Sequence, residues 1–241
     1  MTRVIPIRDY LIYNGMNSLD YKVRISGNGT YRAAERDIES VVVPGRNGEL
    51  TIDRNRFKNS QQTYDAYIVD GYQENLSAFM NGLLSSAGYS RLEDSYHLDE
   101  FRMARFLGPV DPESVMDEAG RFELVFDCKP QRYLKQGEEE ITIGPSETKV
   151  LFNPSPMTAL PRIVVTSGTG DIVVNMQHCT LTANNGATVI DSELMDCYEG
   201  TVNRSGSLTL SDGYPRLIAG ENSISVPAGM TIKIQPRWWK L

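Results

Sequence analysis

The sequence predicts a mainly β protein built from two domains. Its 241 residues suffice for one large domain or two small ones, and its 40% hydrophobic and 23% charged residues are typical of a folded globular chain. Several segments alternate apolar and polar residues with the period of two that half-buried strands show. After about residue 135, short β segments separated by turns rich in Gly, Asn and Pro indicate a β-sandwich.

A long β-hairpin is predicted in the first domain. Residues 41–43 form an apolar run, a turn-forming segment follows at residues 44–48, and Leu50 and Ile52 resume the alternation. Asn47-Gly48 is expected to supply the positive φ angles that tight hairpin turns require. The pattern therefore predicts two strands joined by a turn.

One segment departs from the β pattern and predicts a single helix over about residues 73–86. Its apolar residues recur with helical spacing on one face: Leu76, Phe79, Met80, Leu83 and Leu84. Gly88 is expected to close the helix in the left-handed conformation. We expect the apolar face to pack on the sheet of the first domain, and a groove-binding face for a partner is the alternative.

A change in composition after Pro130 predicts a domain boundary. The polar stretch 131–137 is followed by the acidic run 138–140. We expect a first domain over residues 1–134, a linker over 135–141 and a second domain over 142–241. The strand that ends the first domain alternates at Phe122, Leu124, Phe126 and Cys128. In the second domain we expect strands at residues 161–166, 171–175, 187–191, 222–226 and 230–235.

Charge and hydropathy argue against two classes of function. A net charge of -7 does not suit a nonspecific nucleic-acid binder, which depends on clustered Lys and Arg. The first fifteen residues contain no continuous apolar segment of the kind found in signal peptides, and no window reaches the roughly 18 apolar residues of a membrane span. We therefore expect synthesis in a cytoplasm and no membrane insertion.

The sequence predicts no catalytic, metal or cofactor site. The two histidines, His97 and His178, lie far apart without a recognisable nucleophile motif, so both are assigned structural or surface roles. Cys128, Cys179 and Cys197 have no C-x-x-C spacing and are expected to be buried free thiols. The G-x-S-x-G and G-x-x-x-x-G-K-[ST] motifs are absent. The chain is thus expected not to be an enzyme and to need no cofactor.

Trp238 and Trp239 are the one feature of the second domain that suggests binding. Aromatic faces are favoured both in sugar stacking and at protein interfaces. Adjacent residues of a strand face opposite sides, so at most one of the two rings can join a core. Two interpretations stay open: one ring in the core with the other on the surface, or contact with a partner or glycan.

Segments in both halves of the chain resemble a known protein family. Residues 41–50, Val-Val-Val-Pro-Gly-Arg-Asn-Gly-Glu-Leu, resemble the V-P-G-R-N-G-x-L signature of the distal tail (Dit) proteins of siphophages, and residues 121–133 resemble the strand that closes that family's first domain. In the second half the resemblance is to the family's C-terminal sandwich, which is like a galectin or a carbohydrate-binding module. It is carried by Asn153-Pro154, residues 159–163, residues 189–193, Tyr214-Pro215 and residues 220–222.

The resemblance implies an architecture and a role. The N-terminal domain would be a sandwich or barrel-like β domain with one helix and a long hairpin, and the C-terminal domain a galectin-like sandwich. Such proteins form a hexameric ring, in some cases as back-to-back rings, at the distal end of the virion tail. The ring joins the tail tube and the end of the tape-measure protein to the tail-tip lysin, fibre hub or receptor-binding proteins. Viral DNA passes through the lumen without specific binding.

Within this resemblance, we expect the hairpin to form one contact between neighbouring subunits. A ring needs two complementary surfaces on every subunit, and extended β edges can supply them. The residues expected there are Val41, Val42, Val43, Arg46, Asn47, Glu49 and Leu50. Two other functions stay open: a carbohydrate-binding accessory protein that contacts host glycans, and a tail-tube protein that assembles into open tubes.

Overall fold

The computed structural model describes residues 9–27, 33–68, 71–110, 113–114 and 119–241, and within them β structure predominates. The chain divides into two compact units, one comprising Met1–Arg132 with Leu241 and the other Tyr133–Lys240. The division lies two residues before the predicted end of the first domain.

Within its described residues, the first unit contains the start of ten strands and one α-helix. They are β1 Leu11–Tyr13, β2 Met16–Asn17, β3 Val23–Ser26, β4 Arg36–Val42, β5 Glu49–Phe57, β6 Ser60–Ile68, α1 Tyr72–Leu84, β7 Ser90–Asp94, β8 Glu100–Phe106, β9 Glu113–Ser114 and β10 Gly120–Leu134. A short 3-10 helix, Ser18–Tyr21, follows β2. Seven of these strands follow one another in a sheet in the order β2-β1-β7-β8-β10-β6-β3, and β9 pairs with β10.

The core of the first unit lies between this sheet and α1. Alternate residues of β10, from Phe122 to Cys128, are buried as the sequence pattern predicts. Phe126 is at the centre of an aromatic cluster, with its ring centroid 5.2 Å from those of Tyr13 and Phe106. Offset and tilted aromatic pairs of this kind add to the stability that their burial provides.

The predicted helix is confirmed, with its bounds shifted by one to two residues. Phe79 and Leu83 are fully buried in the core of the first unit, so the expected packing of the apolar face is found. Leu84 is 53% exposed and lies outside that stripe. The expectation for Gly88 is wrong, because Ser85 closes the helix with its N–H and its hydroxyl, which both donate to the carbonyl of Gly82. Gly88 therefore has no left-handed role, and its φ is not positive.

The second unit is a sandwich of two antiparallel sheets. Its strands are β11 Ile141–Ile143, β12 Thr148–Asn153, β13 Arg162–Ser167, β14 Gly170–Val174, β15 Gln177–Leu181, β16 Thr188–Asp191, β17 Asp196–Glu199, β18 Val202–Asn203, β19 Leu208–Leu210, β20 Gly220–Ser225, β21 Thr231–Gln235 and β22 Trp239–Lys240. One sheet has the order β11-β21-β13-β16-β17-β18, and the other has the order β12-β20-β14-β15-β19. The inward residues of both sheets form one apolar core, and all five expected strands are present.

The segment predicted to be a linker, residues 135–141, is packed into the second unit. Lys135–Glu138 form a 3-10 helix, and Ile141 begins β11. Gly137 is buried so closely that a Cβ atom there would lie 2.3 Å from the backbone nitrogen of Trp238. Its carbonyl accepts the N–H of Arg237 at 2.8 Å. The polar, acidic composition that suggested a linker thus belongs to a segment that is held by its backbone and by side-chain contacts such as the ion pair of Glu140 with Lys233 at 3.1 Å.

Buried polar side chains hold the loops of the second unit. The amide of Asn222 donates to the carbonyls of Ile218 and Gly220 and accepts from the N–H of Ile218 and the amide of Asn175. Asn153 bonds three further backbone groups in the same way. Because a buried amide must satisfy its donors and its acceptor, each of these residues fixes the path of a loop.

No helix within the described residues is long and apolar enough to cross a membrane.

Candidate functional site

The predicted hairpin is present as a separate two-stranded sheet, β4 with β5, which we call the hairpin arm (residues 36–57). Its cross-strand pairs include Val41 with Leu50 and Glu39 with Ile52. Apart from Asp37, Val43 and Phe57, its side chains are exposed. An isolated two-stranded hairpin is marginally stable in water, so a second surface that packs on the arm would stabilise it.

The turn of the arm differs from the predicted one. The left-handed positions are Gly45 at φ 79° and Gly48 at φ 82°, whereas Asn47 does not have a positive φ. The connection runs over six residues, 43–48, and the N–H of Arg46 donates to the carbonyl of Val43 within it. In a turn of this length the two glycines can take the left-handed positions, so Asn47 need not.

One face of the arm is apolar near the turn. Directly paired residues lie on the same face of a sheet, so Val41, Leu50 and Ile52 are neighbours there. They are 36%, 43% and 45% exposed. The opposite face carries Val42, which is 72% exposed, and Ile38. Ile38 was not among the residues predicted for the surface, because a single apolar residue between charged ones gives no clear signal.

Ion pairs occupy the part of the arm farther from the turn. Arg54 pairs with Glu39 at 3.0 Å on the apolar face, next to Ile52. Arg36 binds Asp53 through two guanidinium nitrogens, and this hydrogen bonding holds the pKa of Asp53 below its ordinary value. The arm is thus apolar near its turn, and its charged side chains form ion pairs farther from the turn. A partner surface could bury the apolar part without leaving these charges unpaired.

Arg46, Asn47 and Glu49 are exposed around the turn. With Val41, Val42 and Leu50, the structure gathers six of the seven predicted interface residues on an exposed element. Val43 is only partly exposed and begins the turn.

The two tryptophans have different environments, and only Trp239 lies in a strand, β22. Trp238 is 5% exposed and belongs to the core of the second unit. Trp239 is half-buried, and its indole N–H donates to the carbonyl of Thr158 at 2.9 Å. The ring of Trp238 is not open to stacking, which leaves Trp239 as the only one of this pair with exposed surface.

The titratable groups do not form a catalytic arrangement in the described residues. The Nδ1 atom of His97 lies 2.9 Å from Asp94, and that of His178 lies 2.6 Å from Asp171, in different units. The three cysteines are free and buried, as predicted. Burial raises the pKa of Cys128 and of Cys179 to about 12, so these thiols stay protonated and unreactive. No cluster of three or more His, Cys, Asp or Glu that could hold a metal occurs in the described part of the chain.

These features define a class of protein: a β protein of two units, in which the first bears an exposed hairpin and the second is a sandwich with a closed core.

No protein-family model matches the sequence, and no curated protein matches it. Among solved structures, the crystal structure of the SPP1 Dit protein (gp 19.1) is similar, with a TM-score of 0.70 at 15% sequence identity. The match covers 93% of this chain and 97% of that chain. The SPP1 Dit protein is a paradigm of the hub adsorption apparatus in phages that infect Gram-positive bacteria. The chain therefore has the fold of that protein, and the predicted mainly β fold class is confirmed.

Proposed function

We propose that the chain is a structural distal tail protein of a long-tailed bacteriophage and has no enzymatic turnover. The observation that carries this proposal is the likeness to the SPP1 Dit protein over 93% of the chain, which includes both units. A likeness confined to the second unit would point to a generic β-sandwich. Agreement in both units, in one order along the chain, supports a protein with the same place in a virion.

In this role the protein forms a hexameric ring at the distal end of the tail. The ring joins the tail tube and the tape-measure protein to the tail-tip or baseplate proteins, which include receptor-binding proteins. DNA passes through the lumen without specific binding, and the net charge of -7 suits a surface that does not retain it. The protein is made in the host cytoplasm and does not insert into a membrane.

The hairpin arm is proposed as one of the two surfaces that repeat around the ring. A heterologous contact of this kind joins the arm of one subunit to a different surface on the next subunit. Val41, Leu50 and Ile52 would supply the buried apolar centre of the contact, and Val43 would lie at its edge by the turn. Val42 would extend the contact on the opposite face of the arm. Arg46, Asn47 and Glu49 would form its polar rim. The ion pairs Glu39–Arg54 and Arg36–Asp53 would remain outside the buried centre.

The test compares the parent protein with the double variant Val41→Lys and Leu50→Lys. Both side chains are exposed, so the variant should fold, and two cations in the apolar centre should prevent the contact. Light scattering should give a ring mass for the parent and a monomer mass for the variant, and electron microscopy should show rings for the parent alone. Leu98→Lys, at a residue 51% exposed outside the arm, is the matched control and should assemble like the parent.

Three outcomes would contradict the proposal in different ways. If the double variant assembles like the parent, the arm does not form the contact between subunits. Open tubes in place of rings would favour a tail-tube protein. Binding of the parent to host glycans, lost in Trp239→Ala and without any ring, would favour the carbohydrate-binding alternative.

A further inference from the structure

The longest edge strand of the second unit is β12, at one end of the five-stranded sheet. It has six residues, whereas the other sheet edges of this unit, β11, β18 and β19, have two or three. Very short edge strands, charged outward side chains, prolines and bulges are the usual means by which proteins prevent pairing at an edge. The three short edges of this unit show the first of these means, and β12 does not.

The outward side chains of β12 also lack the usual protection. Leu151 and Asn153 point into the sandwich, and the alternate residues Thr148, Val150 and Phe152 point out. Val150 is 57% exposed and Phe152 is 67% exposed. None of the three outward residues is charged or a proline. The charged residue nearest to them in the strand, Lys149, directs its ammonium group to the carbonyl of Thr142.

The backbone of the same three residues faces the open edge. The N–H of Val226 donates to the carbonyl of Glu147, which places that pair among the hydrogen-bonded pairs of β12 and β20. Such pairs alternate along an antiparallel ladder, so Lys149, Leu151 and Asn153 direct their N–H and C=O groups toward β20. Thr148, Val150 and Phe152 direct theirs away from the sheet. One set of residues therefore offers both backbone groups and apolar side chains.

We propose that this edge pairs with the same edge of a second copy of the chain. The two β12 strands would run antiparallel about a twofold axis at Val150, so that Val150 pairs with its own equivalent and Thr148 pairs with Phe152 of the partner subunit. Each of these pairs exchanges two backbone hydrogen bonds, and the two sheets become one continuous sheet.

The strand itself argues for a second copy as the occupant. A twofold contact requires a self-complementary surface, and the register about Val150 places an aromatic residue opposite a β-branched one at both ends. The outward side chains carry no charge, so the two strands bring no like charges face to face. This contact is isologous and independent of the hairpin arm, so it does not rest on the proposed ring.

Cysteine pairing in the full-length protein tests the register. The equivalent Cα atoms of Val150 would lie about 5.5 Å apart, within the range of about 4.4–6.8 Å that a disulfide spans. Val150→Cys should therefore form a covalent dimer under mild oxidation. Thr148→Cys and Phe152→Cys should each form no disulfide-linked dimer alone and should cross-link when mixed. The native cysteines are buried and give little background. Cross-linking of Thr148→Cys with itself, or none in any variant, would overturn the proposal.

Sedimentation tests the contact without a cross-link. The Phe152→Lys variant should sediment with half the assembly mass of the parent. Leu194→Lys, at a residue 64% exposed elsewhere in the unit, should have the same assembly mass as the parent. A parent with no twofold association, or a Phe152→Lys variant that associates like the parent, would contradict the pairing. Phe152→Lys leaves the hairpin arm intact, and the Val41→Lys and Leu50→Lys variant leaves β12 intact. The two measurements therefore distinguish failure of this contact from failure of the ring.

Discussion

The hairpin arm and the loops of the second unit both carry the residues that resemble distal tail proteins, yet they use them in opposite ways. In the arm, Val42 is 72% and Leu50 is 43% exposed. In the second unit, Asn153, Asp191 and Asn222 are at most 2% exposed and fully occupied by hydrogen bonds within the unit. Residues that carry a sequence resemblance can therefore serve either of two physical needs: an exposed surface available to a partner, or a loop held in place by buried hydrogen bonds.

In the second unit, Asp191 and Arg237 form a buried ion pair. Two parallel hydrogen bonds of 2.8 and 2.9 Å join the guanidinium to the carboxylate, which also accepts the N–H groups of Glu193 and Leu194. Burial raises the pKa of Asp191, but these partners outweigh it and leave the pKa below its ordinary value. Arg237 itself has a φ of 56°, a strained value that the surrounding bonds maintain.

The largest expected effect is that of Arg237→Met. It leaves the Asp191 carboxylate buried without its cation, which costs about 3–5 kcal/mol when one partner of a buried pair is removed. Both tryptophans lie in the second unit, so urea unfolding followed by tryptophan fluorescence measures its free energy of unfolding directly. A loss below about 1 kcal/mol would mean that water or another group replaces the guanidinium.

The ion pair of Asp191 with Arg237 also makes the free energy of unfolding depend on pH. The folded pKa of Asp191 is lowered, so its stabilising effect is complete above the unfolded Asp pKa of about 3.9 and is lost as the pH falls through the folded pKa. Without the guanidinium, burial raises the pKa of Asp191 in the folded variant, so the variant's carboxylate is protonated first as the pH falls. The difference between the parent and Arg237→Met should therefore be largest near neutral pH and shrink as the pH falls through the raised pKa of the variant.

A smaller effect is expected for Asn222→Ala. The substitution removes the four hydrogen bonds that the buried Asn222 amide makes, including those it donates to the carbonyls of Ile218 and Gly220. The expected cost is about 1–3 kcal/mol, measured by the same fluorescence transition. Ser223→Ala, at the exposed neighbouring position, should change stability by no more than about 0.5 kcal/mol. Equal effects of the two substitutions would show that the buried amide does not hold the loop.

The elements with strong periodicity were predictable from the sequence, and those determined by distant contacts were not. The alternation from Phe122 to Cys128 and the helical face around Phe79 identify β10 and α1, because burial of one face imposes the period. The Gly137 contact with Trp238 joins residues a hundred positions apart in the chain, so local composition suggested a linker instead. Exposure of Phe152 was likewise undetectable, since an alternating strand does not reveal whether its second face is covered.

The smallest expected effect is that of Arg54→Met in the hairpin arm. It makes the same change as Arg237→Met, but in an exposed ion pair. Arg54 and Glu39 pair at 3.0 Å, but their side chains are 55% and 53% exposed, so water already solvates both charges. Such a pair contributes about 0.2–1 kcal/mol, and salt at about 1 M should abolish most of it. Guanidinium chloride would itself screen the pair, so urea unfolding followed by circular dichroism is the suitable measurement. A loss as large as that of Arg237→Met would mean that the arm is held by its ion pairs and that its exposed residues serve the fold and not a partner.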